Sequence, residues 1–128
     1  MNQAKPEIYV VEDDVAVRDS LSFLLSSAGY KVVCFADGEA LETAARAQRP
    51  ACILLDINLP GRSGLEILSD LRRDAHPAPI VMMTGAGTIE IAVISLKMGA
   101  ADFIEKPFTE NDLISRLELA MEEIRPHR

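Results

Sequence analysis

Cys52-Ile53-Leu54-Leu55-Asp56 is an apolar run that stops on a carboxylate. The pattern recurs on both sides of it. Ile8-Tyr9-Val10-Val11 stops on Glu12-Asp13, Ile80-Val81-Met82-Met83 on Thr84, and Asp102-Phe103-Ile104-Glu105 on Lys106. Short runs that stay apolar, rather than alternating, suit strands of a parallel sheet covered on both faces. Parallel strands put their carboxyl ends on one edge, where ligands of open α/β sheets bind. Three or more carboxylates, a hydroxyl and an ammonium would then converge on one crevice.

The segments between these runs have helical spacing. Val17, Leu21, Leu24, Leu25 and Ala28 repeat on one helix face, with Asp14 as N-cap and Gly29 as the stop. Lys31–Phe35 reads as a second strand, and residues 38–48 as a helix with Ala40, Leu41, Ala44 and Ala45 inward, ended before Pro50. Leu59-Pro60-Gly61 is a turn, Leu65, Leu68 and Leu71 form a helix face, and Pro77 and Pro79 break the chain before the next strand. Residues 88–98 are helical up to the stop at Gly99, residues 101–105 form a strand cut by Pro107, and a last helix buries Leu113, Ile114, Leu117, Ala120, Met121 and Ile124. Five βα units without repeat or linker predict an α/β fold, a single doubly wound five-stranded parallel sheet with five helices.

Composition narrows the function classes. A chain of 128 residues, 48% hydrophobic and 26% charged, is one globular domain's worth. A net charge of −7 argues against a nucleic-acid surface, since DNA binding depends on Lys and Arg meeting phosphates. Arg72-Arg73 is read as a solvated helix end. No apolar run approaches the ~20 residues of a membrane span, and the N-terminus lacks a signal-peptide core, so a cytoplasmic chain with no membrane contact is expected. Cys34 and Cys52, in apolar runs, are expected as buried packing. His76 and His127 are isolated, and Met82, Met83, Met98 and Met121 read as core filler.

The acidic crevice has its own chemistry. Two carboxylates about 4 Å apart repel by ~4 kcal/mol at an effective dielectric near 20. Three stay ionised together only if a cation joins them. Oxygen-only donors select a hard ion such as Mg²⁺ or Mn²⁺.

The set Glu12-Asp13, Asp56, Thr84-Gly85 and Lys106-Pro107, at the ends of the first, third, fourth and fifth strands, resembles the receiver domain of two-component response regulators. The stretches at residues 99–108 and 59–64 are most similar to the FixJ-like branch, whose members join a receiver to a helix-turn-helix DNA-binding domain. The resemblance covers residues 7–124 and implies a flavodoxin-like strand order, 2-1-3-4-5. It implies that Asp56 accepts a phosphoryl group from a sensor histidine kinase. Mg²⁺ (or Mn²⁺) would be held by Asp13 and Asp56 directly, by Glu12 through water and by the Asn58 carbonyl. Lys106 and Thr84 would meet phosphoryl oxygens, and Lys106-Pro107 would be cis. The chain would not be an enzyme acting on a separate substrate, but would assist its own phosphorylation and dephosphorylation. Phe103 stands at the family's aromatic switch position, although an apolar ring there also suits simple packing. The expected organisation is one receiver domain over residues 1–128, read as a fragment of a transcription regulator whose DNA-binding domain would follow. A stand-alone receiver acting by protein contacts is the alternative.

Other classes fit less well. A haloacid-dehalogenase-type phosphatase needs a second acid two residues after its nucleophile, where this chain has Asn58. A flavodoxin-like binding module would meet repulsion between a flavin phosphate and Glu12-Asp13-Asp14. A pseudo-receiver would have lost one of the site residues. The helix over residues 88–98 carries more apolar surface than one sheet covers. Ala92, Val93 and Leu96 are expected to face the sheet, leaving Ile91, Ile94 and Met98 as a second stripe. That stripe either packs under a neighbouring helix or, on the sharper reading, forms with the fifth strand and last helix a surface for a phosphorylation-dependent homodimer.

Overall fold

The strands β1 (Glu7–Val11), β2 (Lys31–Phe35), β3 (Cys52–Asp56), β4 (Ile80–Thr84) and β5 (Asp102–Glu105) form one parallel sheet in the order β2-β1-β3-β4-β5. Five helices alternate with them: α1 (Val15–Ser27), α2 (Gly38–Ala47), α3 (Gly64–Arg73), α4 (Ile89–Lys97) and α5 (Glu110–Glu123). This computed structural model describes residues 5–85 and 89–123. The expected helix start at Thr88 and the expected burial of Ile124 lie outside the described residues.

The two-residue alternation of each strand divides the core into two layers. Tyr9, Val11, Ile53, Leu55, Ile80 and Met82 face α2 and α3, with Ile91 of α4, Met98 just beyond it and the half-buried Phe103 packed against them. Ile8, Val10, Cys52, Leu54, Val81 and Met83 face α1 and α5, meeting Leu21, Leu25, Leu113 and Leu117. The central strands β3 and β4 are buried along their whole length, which is why their sequences show no polar alternation. Tyr9 and Phe35 meet edge to face, ring centroids 5.0 Å apart.

Helix boundaries follow local chemistry. Asp14 accepts from the backbone N–H groups of Ala16 and Val17, and Gly29 takes a φ of 101° just beyond α1. Ser63 and Glu66 form a reciprocal capping box at the start of α3.

Several expectations are corrected. In α4 it is Ala92 and Ser95 that are buried, with Ile91 and Met98 leaning on the core, while Val93 and Leu96 face outward beside Ile89 and Ile94. Ser95 tolerates the inward position because its hydroxyl donates to the Ala92 carbonyl at 2.6 Å. Ala40 and Ala28 are exposed rather than inward. Arg72 is not a solvated helix end: its guanidinium donates to the carbonyls of Gly99 (3.0 Å), His76 (2.7 Å) and Ala78 (3.1 Å), tying α3 to the turn after α4.

Cys52 is buried as expected, but Cys34, on the edge strand β2, is exposed. Burial pushes the Cys52 thiol up to about 12 from an ordinary value of 9.0. Its neutral form is favoured in the folded state, so this contribution to stability is intact below pH 9 and disappears as pH rises toward 12. At pH 8 an aromatic disulfide reagent is expected to titrate one thiol in the native protein and two after unfolding. Cys34→Ser should abolish the native reaction; rapid native labelling of Cys52 would contradict the packing.

Candidate functional site

The carboxyl ends of β1, β3 and β5 bring Glu12, Asp56 and Lys106 into direct contact. The Lys106 ammonium donates to Glu12 Oε1 at 2.7 Å and to Asp56 Oδ2 at 3.0 Å. Both carboxylates are buried, Glu12 to 1% and Asp56 to 4% exposure, whereas Asp13 beside them is open to solvent. Burial alone would lower the Lys106 pKa, but the hydrogen bonds and charges of Glu12 and Asp56 outweigh it and hold the group above its ordinary value. Lys106 is therefore an ammonium throughout the physiological range.

Backbone contacts set the orientation of each acid. Asp56 Oδ1 accepts from the Asn58 N–H at 3.0 Å, and Glu12 Oε2 from the Asp14 N–H at 3.2 Å. Thr84, buried at the end of β4, has its hydroxyl 3.5 Å from the Ile104 carbonyl, and its own carbonyl accepts from the Lys106 N–H at 2.7 Å. The Lys106-Pro107 peptide is cis. The expected residues Glu12, Asp13, Asp56, Asn58, Thr84 and Lys106 thus occupy one edge of the sheet. Ile94 is on the exposed face of α4 and Phe103 is half-buried against the core.

The donor set fits a hard divalent cation. Carboxylate oxygens of Glu12, Asp13 and Asp56 lie within 4.8 Å of one another. Three carboxylates against one ammonium leave two negative charges uncompensated, the charge a divalent ion neutralises. All the donors are oxygens, as Mg²⁺ and Mn²⁺ prefer.

Sequence reading passed over two residues that shape this crevice. Arg18, in α1, donates to the backbone carbonyls of Glu12 (2.9 Å) and Asp13 (3.1 Å) and fixes the turn that carries them. Its helical spacing from Asp14 was the only available signal. Gly64 opens α3 directly over the end of β3, its N–H donating to the Ile57 carbonyl at 2.8 Å. A Cβ there would sit 2.3 Å from the Asp56 carbonyl oxygen and 2.8 Å from Ile57 Cα.

An α/β domain with a doubly wound parallel sheet and an acidic, lysine-bridged crevice at its carboxyl edge is the class that fold and site define. Residues 8–118 match the response regulator receiver domain, and the chain belongs to that family. It is 42% identical over 122 residues to the transcriptional regulatory protein FixJ of Bradyrhizobium diazoefficiens, covering 95% of this chain and 60% of that protein. It is 37% identical to nodulation protein W of the same organism, over 97% of this chain and 55% of that one. The chain therefore spans little more than half the length of these relatives. Among solved structures it superposes on full-length FixJ from B. japonicum with a TM-score of 0.91 at 41% identity, covering 97% of this chain and 61% of that one. The receiver domain of NtrX from Brucella abortus matches with a TM-score of 0.85 at 38% identity, over 90% of this chain and 98% of that one. The expected FixJ-like resemblance and the flavodoxin-like strand order are both borne out. Among the described residues, no helix is long and apolar enough to cross a membrane.

The close approach at Gly64 gives a test of how tightly the end of β3 is built. Gly64→Ala is expected to destabilise the fold by about 1–3 kcal/mol, the usual range for overpacking, read as a lower denaturation midpoint with unchanged m. An unchanged midpoint would show that the backbone around Asp56 yields to the added methyl group.

Proposed function

We propose that this chain is the phosphoacceptor switch of a two-component system, with Asp56 as the acceptor. The observation that carries the reading is the buried Asp56 carboxylate at the end of the central strand β3, held by Lys106 and within reach of Glu12 and Asp13. The phosphodonor is a phosphohistidine of a sensor histidine kinase. The phosphorus–nitrogen bond breaks as a phosphorus–oxygen bond forms to Asp56, and the imidazole leaves. Such transfers need alignment and charge neutralisation more than covalent chemistry from the protein.

Asp13, Asp56 and the Asn58 carbonyl would hold Mg²⁺ (or Mn²⁺), with Glu12 acting through water, and the ion would screen the acids and polarise the phosphoryl group. Lys106 gives up its contact with Asp56 for a phosphoryl oxygen, and Thr84 turns from the Ile104 carbonyl to another. Hydrolysis of the aspartyl phosphate in the same crevice resets the switch. Movement of Thr84 is passed to α4, β5 and Phe103, altering the surface that α4 presents. Ile89, Val93, Ile94 and Leu96 are exposed on that helix, and a two-fold homodimer formed on phosphorylation covers them. The output is control of transcription by an effector domain of a longer, cytoplasmic regulator. Its support is that relatives named as transcriptional regulators extend well beyond the matched region. The acidic net charge leaves DNA contact to that other domain.

Incubation with a small acyl phosphate and Mg²⁺ should add one phosphoryl mass to the intact protein. Asp56→Asn or excess chelator should remove the increment, and undiminished labelling of the mutant would overturn the assignment. Lys106→Ala should bind metal nearly as well as the parent yet fail to switch.

The dimer is tested separately by Ile94→Glu. This exposed position should tolerate the charge, keeping fold and labelling while abolishing phosphorylation-dependent association in analytical ultracentrifugation. A mutant that dimerises like the parent would remove α4 from the interface.

A further inference from the structure

The loop between β3 and α3, residues 57–63, leaves the sheet beside the crevice, and Asn58 stands on it. Its two ends are held by main-chain groups. The Asn58 N–H donates to Asp56 Oδ1, and the Gly64 N–H donates across the base of the loop to the Ile57 carbonyl. Between these points the chain passes Pro60 and turns at Gly61, whose φ of 77° lies in the left-handed region.

Arg62 follows that turn and ties the crown of the loop to two helices. Its guanidinium makes a forked pair with Glu42 of α2, Nη1 donating to Oε1 at 2.6 Å and Nη2 to Oε2 at 2.9 Å. The same Nη2 also donates to Asp70 of α3, which Arg73 bridges at 3.3 Å. The Glu42 side chain is only 12% exposed, so its end of the fork is well shielded from solvent. A two-bond fork fixes direction as well as distance, which a single ammonium contact does not.

We propose that Arg62 is a positioning residue for metal binding: by clamping the loop crown to α2 and α3 it holds the Asn58 carbonyl and, through the Asn58 N–H, the Asp56 carboxylate in ligating position. This rests on the reading that Asn58 supplies a carbonyl to the ion. Mg²⁺ demands near-ideal octahedral geometry, so a ligand on a loop must be held by its surroundings. Groups that orient ligands without touching the metal change its affinity by 10- to 100-fold when removed. Releasing the clamp leaves Glu12, Asp13 and Asp56 in place at the ends of β1 and β3 and loosens the Asn58 carbonyl together with the N–H bond that orients Asp56. The loss should therefore be in affinity, recoverable at high metal concentration.

Mn²⁺ binding followed by electron paramagnetic resonance on the full chain, with circular dichroism and thermal melts as controls, tests this. Arg62→Ala should keep the fold and bind Mn²⁺ about tenfold more weakly, with Arg62→Lys intermediate. Glu42→Gln, which keeps the shape of the partner and removes its charge, should weaken binding in the same direction and serves if Arg62→Ala does not fold. In phosphorylation by an acyl phosphate, the half-saturating Mg²⁺ concentration should rise about tenfold while the rate at saturating Mg²⁺ returns to that of the parent. A merely structural role would lower both together. Parent-like Mn²⁺ affinity in folded Arg62→Ala and Glu42→Gln would overturn the clamp and leave the acceptor reading standing. A parent chain that takes up no Mn²⁺ would overturn the metal reading and the clamp with it.

Discussion

Lys106 sits between two buried carboxylates that reach it from β1 and β3, and its own backbone N–H is bonded to the last residue of β4. One residue thus links the ends of three strands at the edge where function is expected. Removing either carboxylate from water is costly unless it is paired and hydrogen-bonded, and the ammonium supplies both conditions. The pairing is still incomplete. Asp13 is open to solvent at the rim, and the cluster as a whole favours a further cation. Buried acids compensated only in part keep a crevice both folded and ready to bind.

The sheet is what makes this pairing cheap to arrange. Parallel register places Asp56 opposite Met83 and Thr84 opposite Glu105, so successive strand ends fall in line without long connections. The core on either side is apolar and closely packed, which gives the strand ends little freedom. By contrast, the loops that leave this edge are held by specific polar contacts. Asp14 caps α1, Arg18 grips the carbonyls of Glu12 and Asp13, and Arg62 clamps the loop after β3. Rigidity in the strands and adjustable polar ties in the loops are the combination a switch requires, because a ligand shifts a conformation only through contacts that differ between its states.

Most of the fold was legible because burial dictates composition. The runs ending at Glu12, Asp56, Thr84 and Lys106 read as strands and all four are, three of them buried almost throughout and the edge strand β5 only in part. Strand order was not legible from periodicity and came from family resemblance. The misreadings have a common cause. In α4 nearly every position is apolar, so no polar stripe marks the outer face, and Ser95 went inward because it could bond its own helix backbone. Cys34 lies in an apolar run but on an edge strand, where one face escapes cover. Arg72 looked solvated because its partners are carbonyls, which leave no trace in side-chain spacing. Arg62 was missed for a related reason, since Glu42 lies twenty residues away in sequence.

The central claim is that one buried carboxylate, Asp56, is the atom group on which the whole crevice acts. A crystal structure with Mg²⁺ and beryllium fluoride, a phosphoryl mimic that bonds to acceptor carboxylates, tests it most directly. The expected result is a beryllium–oxygen bond at Asp56, metal contacts from Asp13, Asp56 and the Asn58 carbonyl, and fluorines met by Lys106 and the Thr84 hydroxyl. Beryllium on another side chain, or a crevice that takes up metal while Asp56 stays unmodified and paired to Lys106, would contradict the account.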